Sequence, residues 1–331
     1  MTGAATTVDR NAWLTADAWR RLFRDRPILP LTGLLVLLVI VFAIVSPGSM
    51  GPQFIGITLQ AAIPLALLAA CQTLAMLTGG IDLSVGAVAS AAGFIVATLD
   101  PNIGLGAALL IALIAAAAAG TINGIGVGVF RVHPLIMTLA MSLVVLGLAN
   151  AFQLAVVKTS SGVPDPIRSI GADTIAGVLP YSLVVFVPIA VVIILGLRRS
   201  GYGRMLFAIG DNPIAARLSG GRAWQVLIVL YIVSAVIAAV AGILISGFTN
   251  VASVTLADVY VLPSVAAAVI GGTSILGGRG GYGGTIIGAL ILTVVTALLG
   301  NLGFPEAVRQ ILFGSIIVVV AAAYTRVTAE A

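Results

Sequence analysis

The stretch "ITLQAAIPLALLAACQTLAMLTGGIDLSVGAVASAAGFIVATL", residues 57–99, holds two long apolar runs separated by a short break. The runs cover 57–77 and 81–99, and the break contains Gly79 and Gly80. Each run has about the 20 residues that a helix needs to cross the hydrocarbon core of a bilayer. The stretch therefore predicts two membrane-spanning helices with a change of chain direction between them.

The composition of the whole chain agrees with this prediction. The 331 residues are 60% hydrophobic and 8% charged, and the mean hydropathy is +1.20. A chain of this composition is too apolar to be a soluble domain. A membrane β-barrel would show short segments of alternating polarity, whereas the apolar runs here are continuous. The predicted fold class is therefore an all-α integral membrane protein. The single cysteine, Cys71, excludes a disulfide framework and a cysteine metal site.

Length and lack of charge predict about ten transmembrane helices. They fall at 28–45, 57–77, 81–99, 103–119, 134–157, 178–197, 224–248, 260–276, 282–299 and 309–325.

The distribution of charge predicts the orientation of these spans. With the N- and C-termini in the cytoplasm, the inside segments hold thirteen of the sixteen Lys and Arg residues, as the positive-inside rule requires. The arginines are spread over many loops and form no single basic face, so a nucleic-acid partner is not expected. We therefore predict a multi-pass membrane protein that is surrounded by the lipid bilayer.

The chain divides into a membrane domain and soluble flanks. Residues 1–27 are predicted to form a cytoplasmic amphipathic arm, 28–326 the transmembrane domain, and 327–331 a cytoplasmic tail. The polar loop 158–177 is expected on the outer surface, because it contains the sequence "VPDP". The loop 198–223 is the longest soluble segment after the arm and is expected inside.

A short helix is predicted within the inner loop. Asp211 or Asn212 can cap its first turn, where Pro213 is well tolerated. Gly220 and Gly221 can end it. The loop therefore predicts a short helix at the cytoplasmic face.

The spacing of prolines and glycines indicates a possible internal repeat. Pro64 precedes Gly79 by 15 residues, and Pro263 precedes Gly277 by 14. Internal repeats and glycine-interrupted spans are common in transporters. Clustered glycines also let helices approach closely, or break them beside a cavity.

Asp82 allows two interpretations. It can cap the following span, with its carboxylate accepting hydrogen bonds from the amides near Ser84 and Val85. Alternatively, the break around it can line a translocation path or a gate, because acidic residues inside membranes are rare and often functional. Both roles are compatible with the sequence.

Uncharged polar residues in or near the spans are candidates for a substrate path. On the fifth span, four such residues fall within about 120° of one another at 100° per residue. Their hydroxyl and amide groups could bond a polar solute in transit, although such groups also bond neighbouring helices. With Asp82, the candidate path residues are Gln60, Gln72, Asn123, Thr138, Ser142, Asn150 and Gln153.

Absent motifs narrow the function. No stretch fits G-x-x-x-x-G-K-[ST], and the sole lysine, Lys158, follows no glycine loop, so the chain is not expected to hydrolyse ATP. His133 lacks the partners of a metal site. An ion-coupled transporter would place several charges within its spans, and a membrane enzyme would need a paired catalytic constellation. We therefore expect a transport subunit that is not itself an enzyme and that holds no cofactor, with an ion-coupled transporter as the alternative.

Four stretches carry a more specific resemblance. They closely resemble the membrane permeases of ribose-, xylose- and galactose-type ATP-binding-cassette (ABC) importers, and the match is collinear over nearly the whole chain past residue 50. The stretches are "LTGGIDLSVGAV" (77–88), "HPLIMTLAMSLVVLGLA" (133–149), "GYGRMLFAIGDNPIAARLSG" (201–220) and "VIGGTSILGGRGGYGGTIIGALIL" (269–292).

The resemblance implies partners and a mechanism. It implies a homodimeric permease pair, a cytoplasmic ABC ATPase that binds ATP and Mg²⁺, and a periplasmic solute-binding protein that delivers a monosaccharide. Nucleosides and branched-chain amino acids are alternative cargoes within the wider superfamily. The inner loop is then similar to the coupling segment that docks on the ATPase, and the residues implied are Gly210, Asp211, Asn212, Pro213, Ala215, Ala216 and Arg217.

Overall fold

The computed structural model describes residues 28–156 and 162–329, which form thirteen α-helices and one two-stranded antiparallel hairpin. The predicted arm, 1–27, lies outside the described residues, as do 157–161 and the last two residues of the predicted tail. The helices are α1 (Ile28–Val45), α2 (Pro52–Leu77), α3 (Val85–Ile103), α4 (Leu105–Gly128), α5 (Pro134–Val156), α6 (Asp165–Ala172), α7 (Leu183–Arg199), α8 (Gly201–Asp211), α9 (Pro213–Leu218), α10 (Ala223–Thr249), α11 (Val261–Ile270), α12 (Tyr282–Asn301) and α13 (Glu306–Ala329).

The predicted fold class is confirmed. In the part of the chain that the structure describes, seven helices are long and apolar enough to cross a membrane: α1, α2, α3, α4, α5, α10 and α12. The pair α7 and α8 passes the same test together, but it bends by 69° at Ser200. Each of the ten segments predicted from hydropathy contains helix.

One predicted span differs from the structure. The segment 260–276 forms only the ten-residue helix α11, which ends at Ile270. The chain from 271 to 281 is not helical, and several of its glycines have positive φ, including Gly277 at +94° and Gly278 at +70°. Such angles suit glycine and interrupt a helix. The prediction of a continuous helix here was wrong, because the segment is a half-length helix followed by a loop.

Helices α2 and α10 form the most buried part of the bundle, and α3, α4 and α12 pack around them. The glycine cluster of α4 supplies one close contact. A Cβ on Gly124 would lie 2.5 Å from Cα of Ile228, and one on Gly128 would lie 2.9 Å from the carbonyl oxygen of Trp224. Small residues four apart thus bring the backbones of α4 and α10 together, a common form of packing between membrane helices.

The predicted outer loop is more ordered than its sequence indicated. Its described part contains α6 and a hairpin of β1 (Thr174–Ile175) and β2 (Leu179–Pro180). Gly171 packs against the backbone of Gly247 near the end of α10. The segment therefore covers the end of the bundle at which α10 ends. Helix α9 lies at the opposite end, just before the start of α10.

Candidate functional site

The break between α2 and α3 begins with a glycine-terminated helix end. Gly79 has φ of +77°, and its N–H donates to the carbonyl of Met76 at 2.9 Å. The N–H of Gly80 donates to the carbonyl of Ala75 at 3.0 Å. This pair of bonds is a Schellman motif, which satisfies the last carbonyls of a helix and turns the chain away from its axis. The predicted change of direction is therefore confirmed.

Asp82 lies in the break and is only 2% exposed. Its Oδ1 accepts hydrogen bonds from the backbone N–H of Ser84 at 3.0 Å and from the Ser84 hydroxyl at 2.6 Å. Its Oδ2 accepts a bond from the hydroxyl of Ser234 on α10 at 3.0 Å. The predicted bond to the Ser84 amide is present. The ion pairs among the described residues do not involve Asp82, so serine and backbone donors stabilise its carboxylate.

Gln72, on the last turns of α2, fixes the backbone of the same residue. Its amide Nε2 donates to the Asp82 carbonyl at 2.8 Å, and its Oε1 accepts from the Asp82 N–H at 3.2 Å. The side chain thus replaces the two backbone partners that a continuous helix would have given Asp82. A break can persist in a membrane only where its backbone groups are satisfied in this way.

Two further side chains hold the break from α4 and α5. The Thr138 hydroxyl accepts from the N–H of Leu83 at 3.0 Å and donates to the carbonyl of Ile81 at 3.2 Å. Asn123 donates from Nδ2 to the Ser84 hydroxyl at 2.9 Å. Four helices, α2, α4, α5 and α10, therefore converge on the short segment between α2 and α3.

Two buried polar atoms beside the break between α2 and α3 lack hydrogen-bond partners among the described residues. They are Oδ1 of Asn123 and the hydroxyl of Tyr231. A Cβ on Gly80 would lie 3.4 Å from the Tyr231 hydroxyl, so the tyrosine lies directly beside the break. Buried polar groups without partners are rare in proteins. The network is therefore incompletely satisfied in this conformation.

The candidate path residues separate into two groups. Gln72, Asp82, Asn123 and Thr138 lie together in the buried network described above. The other four lie elsewhere: Gln60, Ser142, Asn150 and Gln153.

In this second group, Gln60 on α2 donates to the carbonyl of Ala172 and so holds α6. Asn150 is exposed and donates to Leu146 of its own helix. Gln153 is also exposed, and Ser142 is half-buried. The residues of the fifth span share a side of the helix but not an environment, and their role in a path stays a prediction.

The short helix predicted in the inner loop is present as α9. Oδ1 of Asn212 accepts from the N–H of Ile214 at 3.0 Å and from that of Ala215 at 2.9 Å. Asn212 is thus the N-cap, and Asp211 is the last residue of α8. At the other end, the N–H of Gly221 donates to Ala216 at 3.3 Å.

Helix α9 presents apolar side chains to the surroundings. Ala216 is buried against a small cluster that includes Ile209 and Ala223. Ile214 and Leu218, which are four residues apart and share a face, are 68% and 84% exposed. Neighbouring apolar residues on an exposed helix are typical of a surface that binds another protein or the membrane.

Backbone contacts connect the end of α8, just before α9, to the two glycine-rich breaks. One break follows α2, and the other follows α11. The N–H of Gly278, in the loop after α11, donates to the carbonyl of Leu77 at the end of α2, at 3.1 Å. Gly210, near the end of α8, packs against both groups, and a Cβ there would lie 2.5 Å from the Gly278 nitrogen. A Cβ on Gly277 would lie 2.8 Å from the Gly210 carbonyl oxygen. We call Leu77, Gly210, Gly277 and Gly278 the glycine junction.

The sequence identified these glycine clusters separately but gave no sign that they meet. In the structure, the residue that precedes the α9 N-cap is adjacent to the glycine junction, because Asp211 follows Gly210 directly. The N-cap of α9 is thus two residues from the point where α8, the end of α2 and the loop after α11 meet through backbone contacts.

Comparison with known proteins identifies the family. The model of the family described as "Branched-chain amino acid transport system / permease component" matches residues 54–321. The chain belongs to this family. It is a multi-pass transport subunit of the bacterial inner membrane.

Individual permeases are similar over most of the chain. The fructose import permease protein FrcC of Rhizobium meliloti is 33% identical, over 87% of this chain and 82% of its own length. The ribose import permease protein RbsC of Bacillus subtilis is 33% identical, over 88% of this chain and 90% of its own length. The ribose import permease protein of Escherichia coli K12 is 31% identical, over 88% and 92% respectively. No solved structure gave a significant match.

Proposed function

We propose that this chain is the membrane-spanning subunit of an ABC importer for a monosaccharide. The observation that carries the proposal is the collinear similarity to ribose and fructose import permeases over about nine-tenths of the chain. A nucleoside or a branched-chain amino acid is the alternative cargo, because the family description includes amino acid transport. An ion-coupled transporter is less well supported, because Asp82 is held by serines.

The energy would come from a separate cytoplasmic ABC ATPase. This subunit would bind ATP and Mg²⁺, and the permease chain would hold no cofactor. Helix α9 is the docking element, since its capped short helix exposes Ile214 and Leu218 to a partner. Arg217 on the same helix adds a charge that an acidic groove on the ATPase can pair.

Transport would proceed by alternating access in a pair of permease chains, beneath a periplasmic binding protein that delivers the solute. Movement of the ATPases would shift α9 and, through Gly210, the glycine junction. The end of α2 and the loop after α11 would follow, because Gly278 is bonded to Leu77. Rigid-body movements of this type reposition helices around a site without unfolding them.

The test is uptake of labelled solutes into vesicles that contain the permease, its co-purified ATPase and its binding protein. We expect ribose or fructose to enter only when ATP is supplied. Uptake that needs an ion gradient and ignores ATP would contradict the proposal. ATP-dependent uptake of leucine or adenosine, with no uptake of either sugar, would select the alternative cargo instead.

A further inference from the structure

The chain turns back into the bundle after α10, before α11 begins. Helix α10 ends at Thr249, Asn250 has a left-handed φ of +53°, and residues 251–257 are not helical. A short 3₁₀ turn, Asp258–Tyr260, then leads into α11. We call residues 250–260 the re-entrant segment.

The re-entrant segment packs along α3. The N–H of Ala257, which is fully buried, donates to the hydroxyl of Ser90 at 2.8 Å. A Cβ on Gly86 would lie 3.4 Å from Cα of Asp258. Since Gly86 is one turn closer to the start of α3 than Ser90 is, the segment runs along α3 towards the break before it.

Contacts between α3 and α10 give the depth of Asp258 in the membrane. Asp82, just before α3, bonds Ser234, which lies near the middle of α10. Gly242, about two turns closer to the end of α10, packs against the second turn of α3. Gly86 lies between these two levels. Because α10 is long and apolar enough to cross the membrane, Asp258 lies well inside the hydrocarbon layer.

Asp258 is nevertheless exposed on the surface of the bundle. Neither of the ion pairs among the described residues involves it. Val259 and Leu262, which follow it, are 57% and 51% exposed, and Thr255 before it is exposed as well. The described parts of the chain therefore leave a carboxylate uncovered deep in the membrane.

Hydrocarbon is an unfavourable surrounding for this surface. A charged side chain at the bilayer centre is costly, and aspartate, unlike lysine or arginine, is too short to reach the headgroup region from there. Non-helical backbone at membrane depth is tolerated only where it is buried in protein or lines a water-filled space. The carboxylate and the irregular backbone both require water or protein next to Asp258.

A water-filled space inside the membrane needs a protein wall on each side, because lipid would otherwise close it. The described residues supply one wall only, since Asp258 stays exposed among them. The proposed ATPase and binding protein lie outside the bilayer. The other wall is therefore a second membrane-spanning chain, and in the proposed pair of permeases that chain is a second copy.

We propose that the re-entrant segment faces the same segment of a second copy across a water-filled gap, and that the two Asp258 carboxylates make this gap selective against anions. Two-fold symmetry places the same surface of each copy opposite the other. Rings of acidic side chains favour cations over anions in pores by the same electrostatic effect. The inference rests on the proposed function for the existence of the pair, and it deepens that function by assigning the facing surface and its charge.

The first experiment measures the charge of the gap with thiol reagents. The assembled importer with Val259→Cys is treated with a cationic and an anionic methanethiosulfonate of similar size. After correction for their rates with a free thiol, we expect the cationic reagent to react about tenfold faster, because a carboxylate about 6 Å away attracts one reagent and repels the other. Adding Asp258→Asn should bring this ratio close to one. The natural Cys71 is fully buried and should stay unlabelled.

The matched control is Ile114→Cys. Ile114 is 59% exposed and lies near the middle of the apolar helix α4, so it is expected to face lipid. A thiol in apolar surroundings does not ionise readily to the reactive thiolate. Neither reagent should therefore label this position at a comparable rate.

The second experiment identifies the opposite wall. The importer with Val259→Cys is treated with bifunctional methanethiosulfonates whose spacers increase in length. We expect at least one spacer to link two permease chains into a dimer on a denaturing gel, whereas Ile114→Cys should give none.

Several results would overturn the inference. They are no reaction at Val259→Cys, equal labelling of Ile114→Cys, or a ratio of rates that does not depend on Asp258. Labelling without cross-linking at any spacer length would remove the second copy from the gap and would also overturn it. These readouts do not require transport. Absence of ATP-driven uptake of any solute would therefore refute the proposed function separately, whatever the labelling shows.

Discussion

Substitution of Gly210 tests whether the glycine junction transmits movement from α9. In Gly210→Ala the new Cβ would lie 2.5 Å from the Gly278 nitrogen and closer still to the Leu77 carbonyl oxygen. Non-bonded atoms do not approach this closely, so α8 or the loop after α11 must move by about 1 Å or more. The movement would also strain the hydrogen bond between Gly278 and Leu77, which is 3.1 Å long.

Overpacking of this kind costs about 1–3 kcal/mol, which the large bundle should tolerate without unfolding. We therefore expect Gly210→Ala to assemble with its ATPase and to hydrolyse ATP, but to lose at least nine-tenths of its solute uptake. The readout is the amount of solute imported per ATP hydrolysed in vesicles. A loss of this ratio at normal protein level distinguishes a coupling defect from a folding defect.

The control is Gly201→Ala at the start of the same helix. There the nearest group to a Cβ is the end of the flexible Arg204 side chain, 3.7 Å away, so uptake should be nearly normal. Normal uptake per ATP in Gly210→Ala as well would refute the role of the glycine junction in transmission.

Three other tests, with five variants in all, examine the break, α9 and the topology. Asp82→Asn keeps an acceptor for Ser84, so this variant should transport nearly normally. Asp82→Leu leaves buried donors without partners, at a cost of about 1–3 kcal/mol each, and should lower the permease level in membranes. Loss of uptake in the asparagine variant at normal protein level would show that the charge itself is needed. Arg217→Glu and Ala215→Trp alter the exposed surface of α9 and should release the ATPase without preventing insertion, so normal co-purification and uptake in both would remove the docking role from this helix. A cysteine in Met205→Cys should be protected from an impermeant reagent in intact spheroplasts, and rapid labelling there would reverse the predicted orientation.

Hydropathy predicted the positions of the helices well, because the length of an apolar run is set directly by bilayer thickness. It failed at 260–276, where "GGTSIL" is apolar enough to resemble the continuation of a span. What ends the helix there is the backbone conformation of successive glycines, and hydropathy does not report backbone angles. The same limitation explains why α3 begins at Val85, four residues after the start of the predicted span.

Local contacts of the site were also predictable, and distant ones were not. The bond from Asp82 to the Ser84 amide follows from a two-residue spacing, but the bond to Ser234 joins residues that are 152 positions apart. Thr138 and Asn150 share a side of α5, yet one is buried beside the break and the other is exposed. A helical projection identifies which residues lie together on a face, but the packing of the whole bundle decides what that face contacts.

The exposed side chains of α9 have a consequence for how the importer is produced. If α9 is cytoplasmic and docks the ATPase, as proposed, a permease inserted without its ATPase would present Ile214 and Leu218 to the cytosol, where chaperones and proteases bind apolar surface. Excess copies should therefore be short-lived, and their lifetime should lengthen once the ATPase covers the helix. Degradation of unassembled permease would then keep the amounts of the two subunits balanced, without a separate control on translation of the permease.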